Sequence, residues 1–575
     1  MIMKFLSLLL ALFVVFNMAK LQANDEIILA GQRAEPVAGQ SVMVVTSHQL
    51  ATEIALAILK EGGNAIDAAV AAGFALAVTQ PRSGNIGGGG FMLYSSGNTD
   101  AVTAIDYREK APSNAYETMF LNDMGNSDQR LSRFSHLSAG VPGTVAGFTL
   151  ALEKYGTMSL AQVLQPAINL AKNGFAVPNR FVEGIAARKK VFDKWPASKT
   201  KFFKQDGSSY QAGEIFKQPD LAKTLQLIAD QGAAGFYSGE TARLIVSEMQ
   251  KHGGLISYDD LANYRAVIRQ PVHGTYRGFD VYSMSPPSSG GTHIVQILNI
   301  LEQYPITEYG HNSAQTIHLM AEAMRRAYAD RASYLGDSDF ISVPIKGLTS
   351  KTYAKTLVKN IQLEKATSSV EIKAGNPQHY ESPETTHFSI VDQFGNAVSN
   401  TYTLNFSYGS GIVVAGTGFL LNNEMDDFSA KPGAANAFGL IGGEANKIEP
   451  NKRMLSSMSP TIVKQAGKNF LVTGSPGGSR IISTTLQVIM NVIDHKMNVQ
   501  TAVNSPRIHH QWWPDEIRIE QGISPDTIKL LTNMGHKVVQ KSAMGGSQSI
   551  LIDPEGGMLL GAADPRQSTS KAAGF

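Results

Sequence analysis

The stretch that most constrains the fold is a pair of strands around a tight turn, residues 385–405. Residues 385–392 alternate in polarity, which is typical of a half-buried strand. Residues 393–395 (Gln-Phe-Gly) form a three-residue loop with glycine where a positive φ is needed. Residues 396–405 then return as the partner strand. The sequence therefore predicts a central antiparallel hairpin.

The register of this hairpin decides which side chains meet across it. If Asp392 faces Asn396, then Thr385 faces Thr403. Directly opposed residues have Cβ atoms roughly 5 Å apart, so the two hydroxyls would lie within hydrogen-bond reach. Residues 365–384 show neither helical nor alternating periodicity and contain two prolines, which predicts a mobile connection before the strand.

The hairpin is one of several motifs that occur in a fixed order along the chain. They are D-Y-R-E-x-A-P (106–112), P-P-S-S-G-G (286–291), T-T-H-F-S-I-V-D (385–392), T-Y-T-L-N (401–405), N-N-x-M-D-D-F (422–428), S-S-M-S-P (456–460) and G-S-P-G-G-S-R (474–480). In this order the motifs resemble the gamma-glutamyltranspeptidase family over nearly the whole chain after residue 40. The resemblance implies an α+β fold, the N-terminal-nucleophile hydrolase four-layer αββα sandwich formed by two subunits cut from one precursor.

The residue patterns themselves support only mixed α and β structure. Ser47 is predicted to cap a helix that ends at Glu61, and residues 135–365 to be mainly helical scaffold. Asn64 with Asp67 and Ser159 with Gln162 are predicted to begin two further helices. Residues 313–334 are predicted to form an amphipathic helix with one apolar stripe. The four glycines at 87–90 match neither a dinucleotide fingerprint nor a P-loop, so we expect close backbone packing beside the nucleophile strand.

The first residue of the hairpin, Thr385, is the candidate nucleophile. A threonine hydroxyl needs a base, and no Ser-His-Asp spacing or nucleophile elbow is apparent in the sequence. An α-amine on the same residue would serve, since its pKa near 8 leaves much of it neutral. Only cleavage between Glu384 and Thr385 creates that amine. We expect a signal peptide (1–23), a large subunit (24–384) and a small subunit (385–575); His387 is expected to be a neighbour rather than the base.

The resemblance also implies roles for residues in the other motifs. Arg108, Ser456 and Ser457 would bind the α-carboxylate of a γ-glutamyl group, and its α-ammonium would lie against acidic side chains. Glycine amides would stabilise the oxyanion. The remaining implied site residues are Glu424 and Asp427 for the ammonium, Asn405 beside them, Thr403 supporting the nucleophile, and Gly477 and Gly478 for the oxyanion.

Two positions depart from the family pattern. Glu424 stands where related bacterial enzymes often have glutamine, which would make the pocket one charge more negative. Residues 430–443 resemble a flexible active-site flap, and Phe438 stands where well-studied relatives have an aromatic residue with a hydroxyl. Because phenylalanine cannot hydrogen-bond to Asn405, we expect looser closure and more competition from water.

The start of the chain and its composition indicate an exported protein. Residues 1–23 combine a short positive start, an apolar run too short to span a bilayer, and small residues, as in a secretory signal. The sequence contains no cysteine, which is compatible with a bacterial periplasm. Without the leader the acidic and basic side chains balance, which argues against a nucleic-acid surface. No membrane association is expected after signal removal.

No cofactor or metal is predicted. The adjacent histidines at 509 and 510 would point apart on a regular element, which favours packing over metal binding. The leading hypothesis is γ-glutamyl transfer from glutathione and related amides to amino acids, dipeptides or water. A cephalosporin (glutaryl) acylase with the same nucleophile and a non-enzymatic periplasmic binding protein are the alternatives.

Overall fold

The computed structural model describes residues 34–374, 386–430 and 444–575. Two seven-stranded sheets organise the chain, and every strand pairing within them is antiparallel. The strands are β1 Val37–Gly39, β2 Met43–Thr46, β3 Gly89–Ser95, β4 Val102–Tyr107, β5 Phe175–Ala176, β6 Ile215–Phe216, β7 Val267–Arg269, β8 Val272–Tyr276, β9 Phe279–Ser283, β10 Thr386–Val391, β11 Ala397–Thr403, β12 Thr461–Gln465, β13 Lys468–Thr473, β14 Ile508–His509, β15 Ile517–Ile519, β16 Val538–Gln540, β17 Gln548–Ile552, β18 Leu559–Ala563 and β19 Lys571–Gly574.

The helices fall into two groups that cover the outer faces of the sheets. The first group is α1 Gln49–Lys60, α2 Ala65–Thr79, α3 Gln129–Phe134, α4 Thr144–Tyr155, α5 Leu160–Asn173, α6 Asn179–Phe192, α7 Pro196–Phe202, α8 Pro219–Gln231, α9 Ala234–Tyr237, α10 Gly239–His252 and α11 Tyr258–Asn263. The second is α12 Gly290–Leu301, α13 Ile306–Tyr309, α14 Ala314–Tyr334, α15 Ile345–Leu348, α16 Lys351–Leu357, α17 Arg480–Ile493, α18 Val499–Asn504 and α19 Pro525–Asn533.

Three hydrophobic cores separate the four layers. The first sheet, in the order β19-β2-β10-β11-β3-β4-β7, packs on the first helix group. The second sheet, β1-β18-β17-β13-β12-β9-β8, packs on the second group. A smaller core of residues from both sheets lies between them. The predicted αββα sandwich is therefore confirmed.

Both sheets mix strands from before and after residue 385. In the first sheet β10 lies between β2 and β11, and β11 lies between β10 and β3. In the second sheet β12 pairs with β9, and β18 pairs with β1. Backbone hydrogen bonds therefore join the parts of the chain on either side of residue 385.

The hairpin strand β10 is buried on both faces, so the prediction of a half-buried strand was wrong. Phe388 and Ile390 belong to the core under the helices, whereas Val391 belongs to the core between the sheets. The polar residues that suggested exposure are paired across the sheets. Ser389 Oγ, for example, donates to the Gln548 carbonyl oxygen at 2.9 Å.

Three helical predictions also need correction. The N-cap of α1 is His48 rather than Ser47, whose hydroxyl instead hydrogen-bonds to Thr386 Oγ1 at 2.9 Å. Helix α14 is buried on nearly all sides rather than amphipathic, because its charged residues pair inside the protein. The stretch predicted as mainly helical scaffold also supplies strands β7, β8 and β9.

Part of the predicted mobile connection is anchored. The Thr367 N–H donates to Glu322 Oε1 at 3.0 Å, the Ser369 N–H donates to Asp515 Oδ2 at 2.7 Å, and Trp512 Nε1–H donates to the Ser369 carbonyl at 3.0 Å. This packing was not predicted. The remainder of the connection, from residue 375 to Glu384, lies outside the described residues, as do residues 1–33.

Residues 36–575 form one compact unit. Within the described ranges, no helix combines the length and the apolar composition that crossing a bilayer requires.

Candidate active site

The predicted hairpin register is confirmed throughout its described length. Thr386 pairs with Tyr402 and Val391 with Ala397, while the Asp392 N–H donates to the Asn396 carbonyl at 3.1 Å. Gly395 has a φ of +77°, as the loop requires. Glu384 and Thr385 themselves lie outside the described residues.

The glycine run before β3 allows the backbone to approach the end of β11. A Cβ on Gly88 would lie 2.0 Å from the Thr403 carbonyl oxygen, and one on Gly90 would lie 2.4 Å from the Tyr402 Cβ. Asn85 Nδ2 donates to the same Thr403 oxygen at 2.8 Å. The close packing is as predicted, although β3 pairs with the partner strand β11 rather than with β10.

Asn405 turns the chain away from the end of β11. It adopts the left-handed conformation with a φ of +72°, which asparagine tolerates better than most residues. Its N–H donates to Thr403 Oγ1 at 2.8 Å and its Nδ2 to the Asn423 carbonyl at 3.0 Å. The turn therefore ties Thr403 to the short 3₁₀ turn Glu424–Asp427.

That 3₁₀ turn meets Arg108, which follows β4 directly. The two guanidinium nitrogens of Arg108 donate separately to Glu424 Oε1 and to Asp427 Oδ2. Its Nε donates to the Met454 carbonyl at 3.2 Å. Arg108, Glu424 and Asp427 are almost fully buried, so the structure brings together an arginine and two acids that are more than 300 residues apart in sequence.

A third acid joins this cluster. Glu109 Oε2 lies 3.5 Å from Arg108 Nη1, and burial raises the pKa of Glu109 to about 8 despite the nearby guanidinium. Burial likewise raises the pKa of Glu424 well above its usual range. One arginine therefore faces three carboxyl groups, and Glu109 and Glu424 take up protons more readily than free glutamates do.

The cluster also contains acceptors that are not used inside the described part of the chain. Both carboxyl oxygens of Glu109, Oε2 of Glu424 and Oδ1 of Asn405 are buried there without a hydrogen-bond partner. Buried acceptors of this kind are costly unless a ligand or water satisfies them. Glu109 and Glu424 lie beside Arg108, and this position is suited to a ligand that carries an ammonium group.

Ser456 and Ser457 follow Met454 and Leu455, whose backbone carbonyls both accept from Arg108. The Ser456 N–H donates to the Pro287 carbonyl at 2.8 Å, which joins the S-S-M-S-P motif to the P-P-S-S-G-G loop. Ser457 Oγ accepts from Nη2 of the buried Arg331 at 2.9 Å. Both serines therefore lie on a fixed segment beside the Arg108 guanidinium.

Gly477 and Gly478 precede the 14-residue helix α17. Their φ values of +134° and +66° favour glycine, and their N–H groups donate to no residue that the structure describes. A Cβ on the nearby Gly474 would lie 2.5 Å from the His387 ring. The glycine segment is thereby packed against the start of β10, with the positive end of the helix behind it.

His387 is enclosed by hydroxyl groups. Its Nδ1 lies 2.9 Å from Thr401 Oγ1 and its Nε2 lies 3.1 Å from Ser389 Oγ, and burial lowers its pKa to about 3. The imidazole is therefore neutral at working pH with both nitrogens in use. This agrees with its prediction as a neighbour rather than a general base.

An open cavity of about 700 Å³ adjoins the chain just after Asn405. Arg82, Arg180, Arg188 and Glu183 line it, together with Tyr408. Arg82 Nε donates to Ser407 Oγ at 2.9 Å, which fixes one basic side chain beside the turn. The basic side chains outnumber the single acid, so the cavity favours an anionic group.

The other predicted site features have separate outcomes. Phe438 and residues 431–443 of the predicted flap lie outside the described residues. His509 bonds to Ser483 and Gln511, whereas His510 contacts Arg325 and Asp515. Sequence reasoning missed Glu109 and Arg331. Glu109 stands inside the D-Y-R-E motif, so that motif could have drawn attention to it, but no local signal marks Arg331.

The αββα sandwich with a central hairpin defines the class of N-terminal-nucleophile hydrolases. Sequence comparison identifies the family within this class, because the sequence model of gamma-glutamyltranspeptidase matches residues 51–574. The chain belongs to the gamma-glutamyltranspeptidase family.

Individual relatives agree with this assignment. A glutathione hydrolase proenzyme of Escherichia coli K12 is 55% identical over 94% of this chain and 93% of its own. An acylase ACY 1 proenzyme of Pseudomonas sp. SE83 is 38% identical over 92% and 93%. The crystal structure of a cephalosporin acylase from Bacillus halodurans superposes with a TM-score of 0.84 at 28% identity, covering 96% of this chain and 99% of that one.

Proposed function

We propose that this protein is a self-processing γ-glutamyltransferase with glutathione hydrolase activity. Thr385 Oγ attacks the γ-glutamyl amide carbonyl and forms an ester, while the amine portion leaves with a proton. The ester is then opened by water, an amino acid or a dipeptide. The name of the E. coli relative, glutathione hydrolase proenzyme, supports this reaction class.

The observation that carries the proposal is the pairing of Arg108 with Glu424 and Asp427. An α-amino acid head group carries one carboxylate, which can pair with Arg108, and one ammonium, which can pair with Glu424 and Asp427. On binding, the substrate carboxylate would take the guanidinium fork and the ammonium would take the released carboxylates. The unused oxygens of Glu424 and Asn405 would accept from the same ammonium.

The nucleophile requires cleavage between Glu384 and Thr385. The new α-amine would accept the hydroxyl proton and return it to the leaving amine. If the observed register continues by one residue, Thr403 faces Thr385 and can hold its hydroxyl. The large and small subunits (24–384 and 385–575) would remain joined through both sheets.

Gly477 and Gly478 are the proposed oxyanion donors. Their N–H groups precede α17, so the helix dipole adds to their attraction for negative charge. Above the pocket, residues 430–443 would act as a flap, and Phe438 would close it without a hydrogen bond to Asn405. Water would then compete more strongly for the ester than it does where a hydroxyl secures the flap.

The basic cavity is the proposed site for the carboxylate of a leaving or accepting dipeptide. It adjoins Ser407, two residues beyond Asn405, and three arginines line it. For Arg188→Gln, we expect KM to rise for a dipeptide acceptor and to stay unchanged for the same dipeptide as its C-terminal amide. Equal effects on both acceptors would reject this assignment without affecting γ-glutamyl hydrolysis.

Export to the periplasm, with residues 1–23 as the signal peptide, is part of the proposal. Fractionation of cells that express the full chain tests it directly. Recovery of the protein without residues 1–23 in the periplasmic fraction would agree, and retention of the leader on cytoplasmic protein would not.

The second candidate is a glutaryl acylase, which is supported by the similarity to an acylase proenzyme. A glutaryl group lacks the α-ammonium, so Asp427 separates the candidates. We expect wild type to hydrolyse γ-glutamyl-p-nitroanilide at least about 100-fold faster than glutaryl-p-nitroanilide, since each buried charged contact contributes about 1.5–3 kcal/mol.

For Asp427→Ala, we expect activity on the γ-glutamyl substrate to fall far more than activity on the glutaryl one. A wild type that prefers glutaryl amides, and an Asp427→Ala variant that keeps that activity, would establish the acylase instead. A denaturing gel separates both from a binding protein, which would remain a single band near the precursor mass.

A further inference from the structure

Three potential metal ligands meet at the surface, on the helical side of the first sheet. His136 lies in the 3₁₀ turn His136–Ser138, and Glu248 and His252 lie four residues apart on one face of α10. Glu248 Oε1 lies 3.0 Å from His136 Nε2 and 3.6 Å from His252 Nε2. All three ligand atoms lie within 4.8 Å of one another.

These separations suit a tetrahedral transition-metal ion. Metal–ligand bonds of about 2.0–2.1 Å at a tetrahedral angle place neighbouring ligand atoms about 3.3–3.4 Å apart. The two measured distances of 3.0 and 3.6 Å lie on either side of that value. Two histidines and one carboxylate are also a common zinc ligand set that leaves a fourth position open.

The surroundings fix one ligand and leave another adjustable. His136 is buried, with the edge of Trp195 against it at 4.8 Å between ring centroids. His252 keeps 28% of its side chain exposed and stacks on His136 at an angle of 17°. Because stacked imidazoles direct their lone pairs side by side, His252 must rotate to share an ion, which its exposure permits.

Glu248 provides the negative charge that a divalent ion requires. Its carboxylate lies within hydrogen-bond distance of His136 Nε2 and is partly open to solvent, with 13% of its side chain exposed.

A second group with similar spacing within the described ranges does not share these properties. His318, Glu322 and His536 are all buried. Both carboxylate oxygens of Glu322 bond to arginines, and His318 Nε2 bonds to the Gln362 carbonyl at 2.7 Å. This second group is satisfied by protein partners, whereas the first has solvent access and a movable ligand.

We propose that His136, Glu248 and His252 bind a divalent transition-metal ion of the zinc class, with water in the fourth position. The site takes no part in the proposed acyl transfer. It joins α10 to His136, which lies shortly after α3. In α3, Ser132 Oγ donates to Asp426 Oδ1 in the 3₁₀ turn Glu424–Asp427. An ion bound here would therefore stabilise the folded protein.

The test uses the full chain without a histidine tag, freed of metal by a chelator and titrated with Zn²⁺ alone by calorimetry. Wild type is expected to bind one Zn²⁺ at this site and to unfold at a higher temperature when loaded. His252→Ala and Glu248→Gln are expected to weaken that binding at least about tenfold and to remove the thermal shift. Cobalt(II) should give the intense visible bands of tetrahedral coordination in wild type but not in His252→Ala or Glu248→Gln.

A matched control is His273→Ala. His273 Nε2 contacts Asp280 Oδ1 at 2.8 Å, which is an exposed histidine–carboxylate pair outside the proposed site. This variant should bind Zn²⁺ as wild type does. Absence of Zn²⁺ binding in wild type, or equal affinity in wild type, His252→Ala and Glu248→Gln, would overturn the proposal. Hydrolysis of γ-glutamyl-p-nitroanilide by the metal-free protein reports separately on the proposed function.

Discussion

Two buried clusters of charged residues in this protein have opposite properties. In the Arg108 cluster one arginine faces Glu109, Glu424 and Asp427, and burial raises the pKa of both glutamates. In the cluster on α14, Glu322 is held between Arg325 and Arg326.

The Glu322 cluster shows what a satisfied ion network looks like. Thr367 donates to both oxygens of Glu322, through its N–H at 3.0 Å and its hydroxyl at 2.7 Å. Burial raises the pKa of Glu322, but the two guanidiniums and Thr367 outweigh this and lower it. The comparison indicates that a buried cluster with unused acceptors is prepared for a ligand, whereas a saturated one serves the fold.

The largest expected effect comes from replacing Arg108 in the Arg108 cluster. In Arg108→Gln the substrate carboxylate loses its guanidinium partner, and unpairing a buried charge of this kind costs about 3–5 kcal/mol. We expect kcat/KM for γ-glutamyl-p-nitroanilide to fall by about 100- to 5,000-fold. Arg108→Lys should recover only part of the loss, because an ammonium cannot bind two oxygens as a planar fork does. Retention of full activity in Arg108→Gln would contradict the proposed pocket.

Removing the central charge of the Glu322 cluster should affect stability instead of activity. Glu322→Gln leaves Arg325 and Arg326 buried without their shared carboxylate, and we expect the free energy of unfolding to fall by about 3–5 kcal/mol. Thermal denaturation monitors this loss. The folded fraction should keep kcat/KM within about twofold of wild type. A selective loss of activity without destabilisation would remove the contrast between the clusters.

The two clusters should also respond to pH with opposite sign. The pKa of Glu109 rises from 4.5 to about 8 in the folded protein, so the unfolded state binds fewer protons between these values. The contribution of Glu109 to stability is therefore complete below about pH 4.5 and lost as the pH rises through about 8. Glu322 has a lowered pKa, so its contribution is present at neutral pH and lost on acidification.

Variants can isolate the two pH responses. Glu109→Gln should flatten the alkaline decline in thermal midpoint, and Glu322→Gln the acidic one. An ionised Glu109 competes with the substrate carboxylate for Arg108, so the donor KM of wild type should rise as the pH passes about 8. The donor KM of Glu109→Gln should not show this rise, and the ratio of the two KM values should therefore increase. A ratio that is independent of pH would show that Glu109 does not titrate beside the substrate.

The smallest effect is expected at Glu424. Burial and the neighbouring carboxyl groups of Glu109 and Asp427 raise the pKa of Glu424, so replacing it by a neutral glutamine changes the charge of the pocket less than the loss of a free carboxylate would. We expect Glu424→Gln to change the donor KM by less than about threefold at pH 7. An increase of tenfold or more would show that Glu424 is ionised when substrate binds.

Local chemistry made the hairpin and the capping boxes predictable from sequence. The Gln-Phe-Gly loop and the alternation on either side of it determine the register, because both act over neighbouring residues. Asn64 with Asp67 and Ser159 with Gln162 form capping boxes for the same reason.

Long-range pairing accounts for what could not be predicted. The polar residues of β10 suggested exposure, but Ser389 reaches a carbonyl on the second sheet. The charges on α14 suggested a solvated face, although Glu322 and Arg325 pair inside the protein. The contacts of Arg108 with Glu424 and Asp427 depend on the completed fold. The family motifs could therefore name these residues but could not show that they pair with one another.

The central claim is that a new amino terminus at Thr385 provides the nucleophile and its base. Terminal sequencing of the lighter fragment of active protein tests this most directly. We predict that it begins Thr-Thr-His-Phe-Ser and that Thr385→Ala remains an uncut, inactive chain. A fully active single polypeptide, or a light fragment with any other first residue, would contradict the claim.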